Sequence, residues 1–409
     1  MHNKRGTLRS SATNGGRGDL AREGRACRRP ATCLFLLLVA LLGLGGLLSC
    51  GSPQEPQTIK IGVIAPLTGS IPLVGQSTVN AAQLAVNEVN DAGGLSIDGQ
   101  QLQIELLIED NEDKKETAVS AAQKLINQAG VVAIVGPQAS RNAIPAAAVA
   151  ESARVPLISP WSTNPETTAG RKYVFRVAFI DPFQGRVMAR FAIEELGAQK
   201  AAVLYDVASE YNKGIAEIFR QIFVDAGGEM AAFESYTTGE TDFSAQLAAI
   251  KDSGADVLFL PNYYSEIPLQ VGQAREMGLD LPIIGADAWG PLEADALPDL
   301  EGCFFSTHYA TDIASPVAQA FVSSYEAAYG QVPDDVAALT YDAFGLLSEA
   351  IRSQGKADSE SIRNGLASIR RYEGVTGVME FQATGDPVKS AVILKIEGGK
   401  LVFYRQAEP

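Results

Sequence analysis

From residue 59 onward, short apolar runs alternate with longer segments of helical periodicity, which restricts the chain to an α/β architecture of mainly parallel sheets flanked by helices. Strands are expected at 59–65, 102–108, 131–135 and 155–158. Helices are expected at 75–92, where Val79, Ala82, Val86 and Val89 share one face and Gly93-Gly94 ends the run, at 114–128, and after Ser140. Past Arg176 the pattern starts again, with strands at 201–205, 230–236, 257–261, 283–285 and 302–307 and helices at 185–196, 213–226, 243–253 and 269–277. Three further helices (316–329, 336–353, 359–369) precede closing strands at 378–381, 390–397 and 401–404. So many helices are more than a tail needs. The chain is expected to return to its first lobe and finish in its second: 58–177 with 309–374, and 178–308 with 375–409. Several crossings between two lobes make a hinge.

The stretch VVAIVGPQASRNAIPAAAVAESARVPLISPWSTNP, residues 131–165, organises the first lobe. Two adjacent parallel strands would end at one sheet edge, so the loops after Val135 and Ile158 open into a common crevice. The helix that follows Ser140 offers unpaired N–H groups and a positive dipole end there, and the hydroxyls of Ser140 and Thr163 add neutral donors, a combination suited to a carboxylate. Equally, Ser140 and Thr163 are ordinary caps of a helix and a turn.

The first 49 residues carry eight Lys/Arg against two Asp/Glu and lead into the apolar core of residues 34–48, the layout of an export signal. Leu47-Leu48-Ser49-Cys50 resembles a bacterial lipobox, which makes Cys50 the lipidated first residue of the mature chain and 50–57 a tether to the membrane. Removing the leader moves the formal net charge from −15 to −21, which argues against a nucleic-acid partner. Of the four cysteines, only Cys50 and Cys303 then remain, and Cys303 in its apolar run reads as a buried small hydrophobe. The acidic run Glu109 to Asp113 lacks the glycine and closing glutamate of an EF-hand and reads as a solvated loop with a helix cap, so no metal site is expected.

From Thr58 the chain resembles the extracytoplasmic solute-binding proteins of branched-chain amino acid ABC importers, the type I periplasmic-binding fold, over nearly all of the mature length. The similarity is carried by IKIGVIAPLTG at 59–69, NEVNDAGG, VVAIVGPQAS, VPLISPWSTNPE, Val203-Leu204-Tyr205-Asp206 with Tyr211, TDFSAQLAAIKDSGADVLFL and GQAREMGL. It implies that Ser140 and Thr163 hold an amino acid's α-carboxylate and that Trp161 touches the ligand. Asp287 would take the α-ammonium with Tyr263 in support, and Tyr211 would close over the ligand from the second lobe. It further implies a monomer without cofactor, lipid-anchored outside the cytoplasmic membrane, that delivers a branched-chain or other hydrophobic amino acid to a permease and its ATPase subunits. Aliphatic amides or urea, another small carboxylate, and a sensing role for a signalling receptor stay open as alternatives. Arg141, where this family has a small or hydroxyl residue, is expected to be a solvated surface arginine or else the partner of a second anionic group on the solute. Trp289 is a further aromatic for the cleft, or core.

Nothing in the chain matches a catalytic motif: no G-x-S-x-G elbow, P-loop, G-x-G-x-x-G after a strand, or H-E-x-x-H occurs. Outside the leader there is one histidine, His308, which reads as structural. No catalytic residue is assigned, and a binder is expected rather than an enzyme.

Overall fold

A computed structural model describes residues 58–313 and 315–409; the leader, Cys50 and the tether lie outside the described residues. The first lobe is built on β1 (Thr58–Ala65), β2 (Leu95–Ile97), β3 (Gln100–Asp110), β4 (Ala133–Val135), β5 (Leu157–Ser159) and β6 (Val174–Arg176). They lie in the order β2-β3-β1-β4-β5-β6, all parallel except the β2–β3 hairpin. The second lobe contains β7 (Lys200–Asp206), β8 (Glu229–Tyr236), β9 (Val257–Leu260), β10 (Ile283–Gly285) and β11 (Phe304–Thr307). A small antiparallel sheet follows from β12 (Arg371–Gly374), β13 (Gly377–Phe381) and β14 (Pro387–Val388). The last two strands, β15 (Ala391–Glu397) and β16 (Lys400–Ala407), join the second lobe antiparallel beside β11, giving the order β16-β15-β11-β10-β9-β7-β8.

Helices cover both sheets: α1 (Pro72–Asp91), α2 (Lys115–Lys124) and α3 (Ser140–Ala153) in the first, and α4 (Asp181–Glu194), α5 (Glu210–Asp225), α6 (Ser244–Ser253) and α7 (Ile267–Glu276) in the second. The late helices α8 (Pro316–Tyr329), α9 (Asp335–Gln354) and α10 (Ser359–Ser368) pack in a layer with α1, so the chain goes back to the first lobe before it ends in the second. Local sequence explains the starts and stops. Pro72 opens α1 at a position whose N–H would be unpaired anyway, and the Asp334 carboxylate caps α9 by accepting the Ala337 N–H at 2.8 Å. Glycines end α8 and α9 in left-handed conformation.

Both sheets have a strand-order reversal, β3-β1-β4 in the first and β8-β7-β9 in the second. Ligands of open α/β sheets bind outside the carboxyl ends of strands at such switch points. Here the two switch points face each other across the cleft, and contacts join the lobes there. The Arg141 guanidinium lies 4.5 Å from the Tyr263 ring centre, the Leu73 N–H donates to the Tyr264 hydroxyl at 3.2 Å, and the Asn164 amide donates to the Glu210 carbonyl at 3.1 Å. The lobes are thus closed on one another.

The strands β2, β6, β12 and β14 are absent from the sequence reading, since runs of two to four residues are too short to show a period. The helix expected over 114–128 stops as an α-helix at Lys124 and continues as a π-helical turn, Leu125–Ala129. The acidic run is corrected more substantially. It is no solvated cap: Asp110 closes the loop by accepting the N–H groups of Leu67, Thr68 and Glu112, and Asp113 is buried against α3.

Candidate ligand-binding site

Five loops at strand carboxyl ends build the site. After β4 the chain turns at Gly136, whose φ of +94° and whose approach to Ile64 leave no room for a side chain: a Cβ would come within 2.2 Å of the Ile64 carbonyl oxygen. That turn delivers Gln138, Ala139 and Ser140 to the cleft. The loop after β5 carries Trp161 and Thr163, α5 presents Tyr211 in its first turn, and the loops after β9 and β10 bring Tyr263 and Asp287. Ser140, Trp161, Tyr211, Tyr263 and Asp287 line one small cavity between the lobes, with Gln138, Ala139 and Ala288 completing its wall.

Ser140 is no helix cap. Ala139 occupies the cap position, and the Ser140 oxygen instead accepts from the Ser162 hydroxyl at 2.9 Å, which leaves its own proton free for an acceptor in the cleft. Thr163 does not line the cavity but lies next to it, and its hydroxyl is buried without a partner. Gln138, which the sequence reading does not single out, donates to the Thr78 and Thr340 hydroxyls at 2.8 and 3.3 Å, while its amide oxygen is buried and unpaired.

The acidic end is built around Asp287, 2 % exposed. Its carboxylate accepts from the Tyr211 hydroxyl at 2.6 Å and from the Gln184 amide at 2.9 Å, and His308 Nε2 lies 3.3 Å from the other oxygen. His308 is fully buried under the Phe179 ring, and burial lowers its pKa to about 4, so at neutral pH it is an uncharged imidazole. Among the described residues no Lys or Arg is within salt-bridge distance of Asp287. The carboxylate therefore has neutral hydrogen-bond donors but no counter-cation. Gln184 and His308 have no marker in the sequence for this role; they come from α4 and from the crossing after β11, both outside the site loops.

A second buried carboxylate, Asp181, opens α4 beside the site. Burial and the neighbouring Asp287 push its pKa up to about 7, against the opposing pull of the nearby Thr163 hydroxyl and the Arg176 charge. Because this value lies above the ordinary 3.8, the native state holds the proton more tightly than the unfolded chain. That contribution to stability is complete below the ordinary value and is lost as pH rises through about 7. Asp181→Asn should accordingly match the wild type near pH 4 and become the more stable protein as pH rises to 8, by a few kcal/mol at about 1.4 per pKa unit. Thermal unfolding of both across this range tests the point; parallel stability curves contradict it.

One expectation is corrected, and one open alternative is decided. Arg141 is not a solvated surface residue: its side chain is 13 % exposed, and its Nε and Nη2 both donate to Asp113, the former at 3.1 Å. With its donors committed to Asp113 and its face on Tyr263, it is not a wall of the cavity and supports the aromatic that is. The unfavourable placement of a cation at the start of α3 is offset by this ion pair. Trp289 is core. It is fully buried, donates to the Leu260 carbonyl at 3.0 Å, packs on Phe305 and lies outside the cavity. Cys303 is buried as expected, its thiol pushed up to about 12.

The missed residue with the most contacts is Arg176, 0 % exposed. It donates to the carbonyls of Ser162 and Asn164 at 2.7 and 2.9 Å, to the Thr168 hydroxyl at 2.8 Å and to Asp386 at 2.6 Å. It thereby fixes the loop that carries Trp161 and Thr163 to the small third sheet.

Known proteins share this fold. A family profile described as periplasmic binding protein matches residues 58–400. The leucine-, isoleucine-, valine-, threonine- and alanine-binding protein of Pseudomonas aeruginosa is 31 % identical over 85 % of this chain and 92 % of its own length. Among solved structures, a leucine-binding protein of Thermotoga maritima superposes with a TM-score of 0.81 at 35 % identity, covering 86 % of this chain and 99 % of that one. A branched-chain amino acid transporter substrate-binding protein of Streptococcus pneumoniae, solved with isoleucine, gives 0.80 at 37 % identity over 86 % and 100 %. The chain belongs to the periplasmic binding protein family and, within it, to the branched-chain amino acid substrate-binding proteins.

Proposed function

We propose that this protein is the extracytoplasmic receptor of an ABC importer and that it captures an α-amino acid with an aliphatic side chain between its lobes. The observation that supports this most is the buried Asp287 carboxylate, with neutral donors and, among the described residues, no Lys or Arg in salt-bridge distance, at one end of a cavity whose other end offers the Ser140 hydroxyl and the start of α3. A zwitterion supplies the missing positive charge to Asp287 and an anion to the α3 end, with the unpaired Thr163 hydroxyl next to it. Because the two halves of the site come from different lobes, the ligand favours the closed form, and closure is the state handed to the permease and its ATPases. The lobe boundaries we assign are 58–177 with 309–374 and 178–308 with 375–409.

Thermal unfolding of residues 51–409, refolded from denaturant to remove carried-over ligand, tests this reading against alanine, valine, leucine, phenylalanine, glutamate and acetamide. A neutral amino acid at a thousand times its Kd stabilises by about 4 kcal/mol and raises Tm. A rise with acetamide alone, or with none of the series, contradicts it. We also assign the anchor to Cys50. Expressed with its leader, Cys50→Ser should leave the membrane fraction yet still respond to the amino acid; retention in the membrane would place the anchor elsewhere.

A further inference from the structure

The amino-acid reading uses Ser140 at one end of the cavity and Asp287 with Tyr211 at the other, but it gives no task to Gln138, an amide in the same wall. Gln138 is 0 % exposed, and its orientation is fixed by hydroxyls from two helices. The Thr78 hydroxyl on α1 gives its single proton to the Val74 carbonyl at 2.7 Å. Toward Gln138 it therefore only accepts, and the group that meets it at 2.8 Å is Nε2. Nε2 also donates to the Thr340 hydroxyl on α9 at 3.3 Å. Both threonines are fully buried, so no water competes for these bonds. Turning the amide over would set its oxygen against a hydroxyl oxygen with no proton left to give. Oε1 is thus a fixed acceptor, and it is buried without a partner among the described residues. A buried acceptor left unpaired is costly enough that native structures seldom keep one without a purpose.

Which part of an amino acid serves Oε1 follows by elimination. The α-carboxylate carries acceptors only, and it belongs at Ser140 and the start of α3, two residues further along the same turn. The α-ammonium is drawn to the Asp287 carboxylate in the other lobe. The side chain remains, and it must bring a donor; within the aliphatic class that donor is a hydroxyl. In an open cleft water reaches Oε1. Closure over a methyl group strips that water and returns nothing, whereas closure over a hydroxyl exchanges one donor for another.

Resting on the amino-acid reading, we propose that Gln138 selects a solute whose aliphatic side chain carries a hydroxyl, so that this receptor takes threonine or serine ahead of valine or alanine. Gln138 is the specificity-determining residue, and Thr78 and Thr340 are its positioning residues.

Threonine and valine have nearly the same shape and differ in a hydroxyl against a methyl, so their affinity ratio does not depend on the room in the cleft. Calorimetric titration of the refolded protein with threonine, valine, serine and alanine reads that ratio. In the wild type, threonine should bind at least about tenfold more tightly than valine, with serine ahead of alanine in the same direction. Gln138→Leu, similar in volume but without the acceptor, should bring the threonine-to-valine ratio down to about one or below. Thr78→Val, which releases the amide, should lower it in the same direction, and Thr78→Ser, which keeps the hydroxyl, should preserve it. A purely structural role for Gln138, or an Oε1 that serves the ammonium instead, would weaken all four ligands together and leave the ratio unmoved; either result would overturn the proposal. So would equal wild-type affinities for threonine and valine, a result that needs no variant to fold. Failure of all four to bind is a separate outcome: it removes the amino-acid reading and this preference with it.

Discussion

Asp287→Ala is expected to lower amino-acid affinity by about 2–5 kcal/mol, the cost of leaving a buried ammonium without its carboxylate. The effect is large because nothing nearby can substitute. Tyr211 and Gln184 are neutral and would be left donating into a void, and His308, held uncharged by burial, repels no cation but attracts none. Asp181, a buried carboxyl group that feels the Asp287 charge, holds its proton up to about pH 7. The loss should fall on amino acids as a class, independent of side-chain size. Titration of the variant beside the wild type gives the result directly; unchanged affinity would mean that the ammonium is held elsewhere.

Arg176→Ala is expected to be the most damaging single change to stability, at about 3–5 kcal/mol, the range for breaking a buried, hydrogen-bonded charge pair. Five acceptors lose their donor at once, three of them backbone carbonyls of the segment that bears Trp161 and Thr163. The Asp386 side chain, 21 % exposed, can be rehydrated, so Asp386→Ala should cost less than the arginine change. Urea unfolding of the two variants checks the order. A midpoint for Arg176→Ala close to that of the wild type would show that the loop is held by packing alone.

These two residues illustrate what the sequence makes legible. Asp287, Tyr211 and Tyr263 are recognisable only through the resemblance to a known family, Ser140 also from its place at a helix start after a strand, and the alternation of apolar and amphipathic runs places the loops that carry them. Arg176 is invisible by the same means: it ends a three-residue strand too short to show a period, and its partner Asp386 is 210 residues away in sequence. Arg141 misleads for a related reason. Next to the site serine at a helix start it reads as solvated, and only the fold shows that Asp113, 28 residues earlier, neutralises it. Trp161 and Trp289 cannot be told apart from composition; one reaches Asp335 at the start of α9 and the other a strand carbonyl in the core. Buried charges and long-range donors are decided by tertiary neighbours, whereas loop placement is decided by local pattern.

The most direct test of the two-lobed zwitterion site is a crystal structure of the refolded protein grown with whichever neutral amino acid binds most tightly. The account predicts one ligand in the cavity, its ammonium on Asp287 and Tyr211, its carboxylate at Ser140 and the start of α3, and its side chain against Trp161. An amino acid bound with its carboxylate turned toward Asp287, or bound outside this cavity, would contradict it.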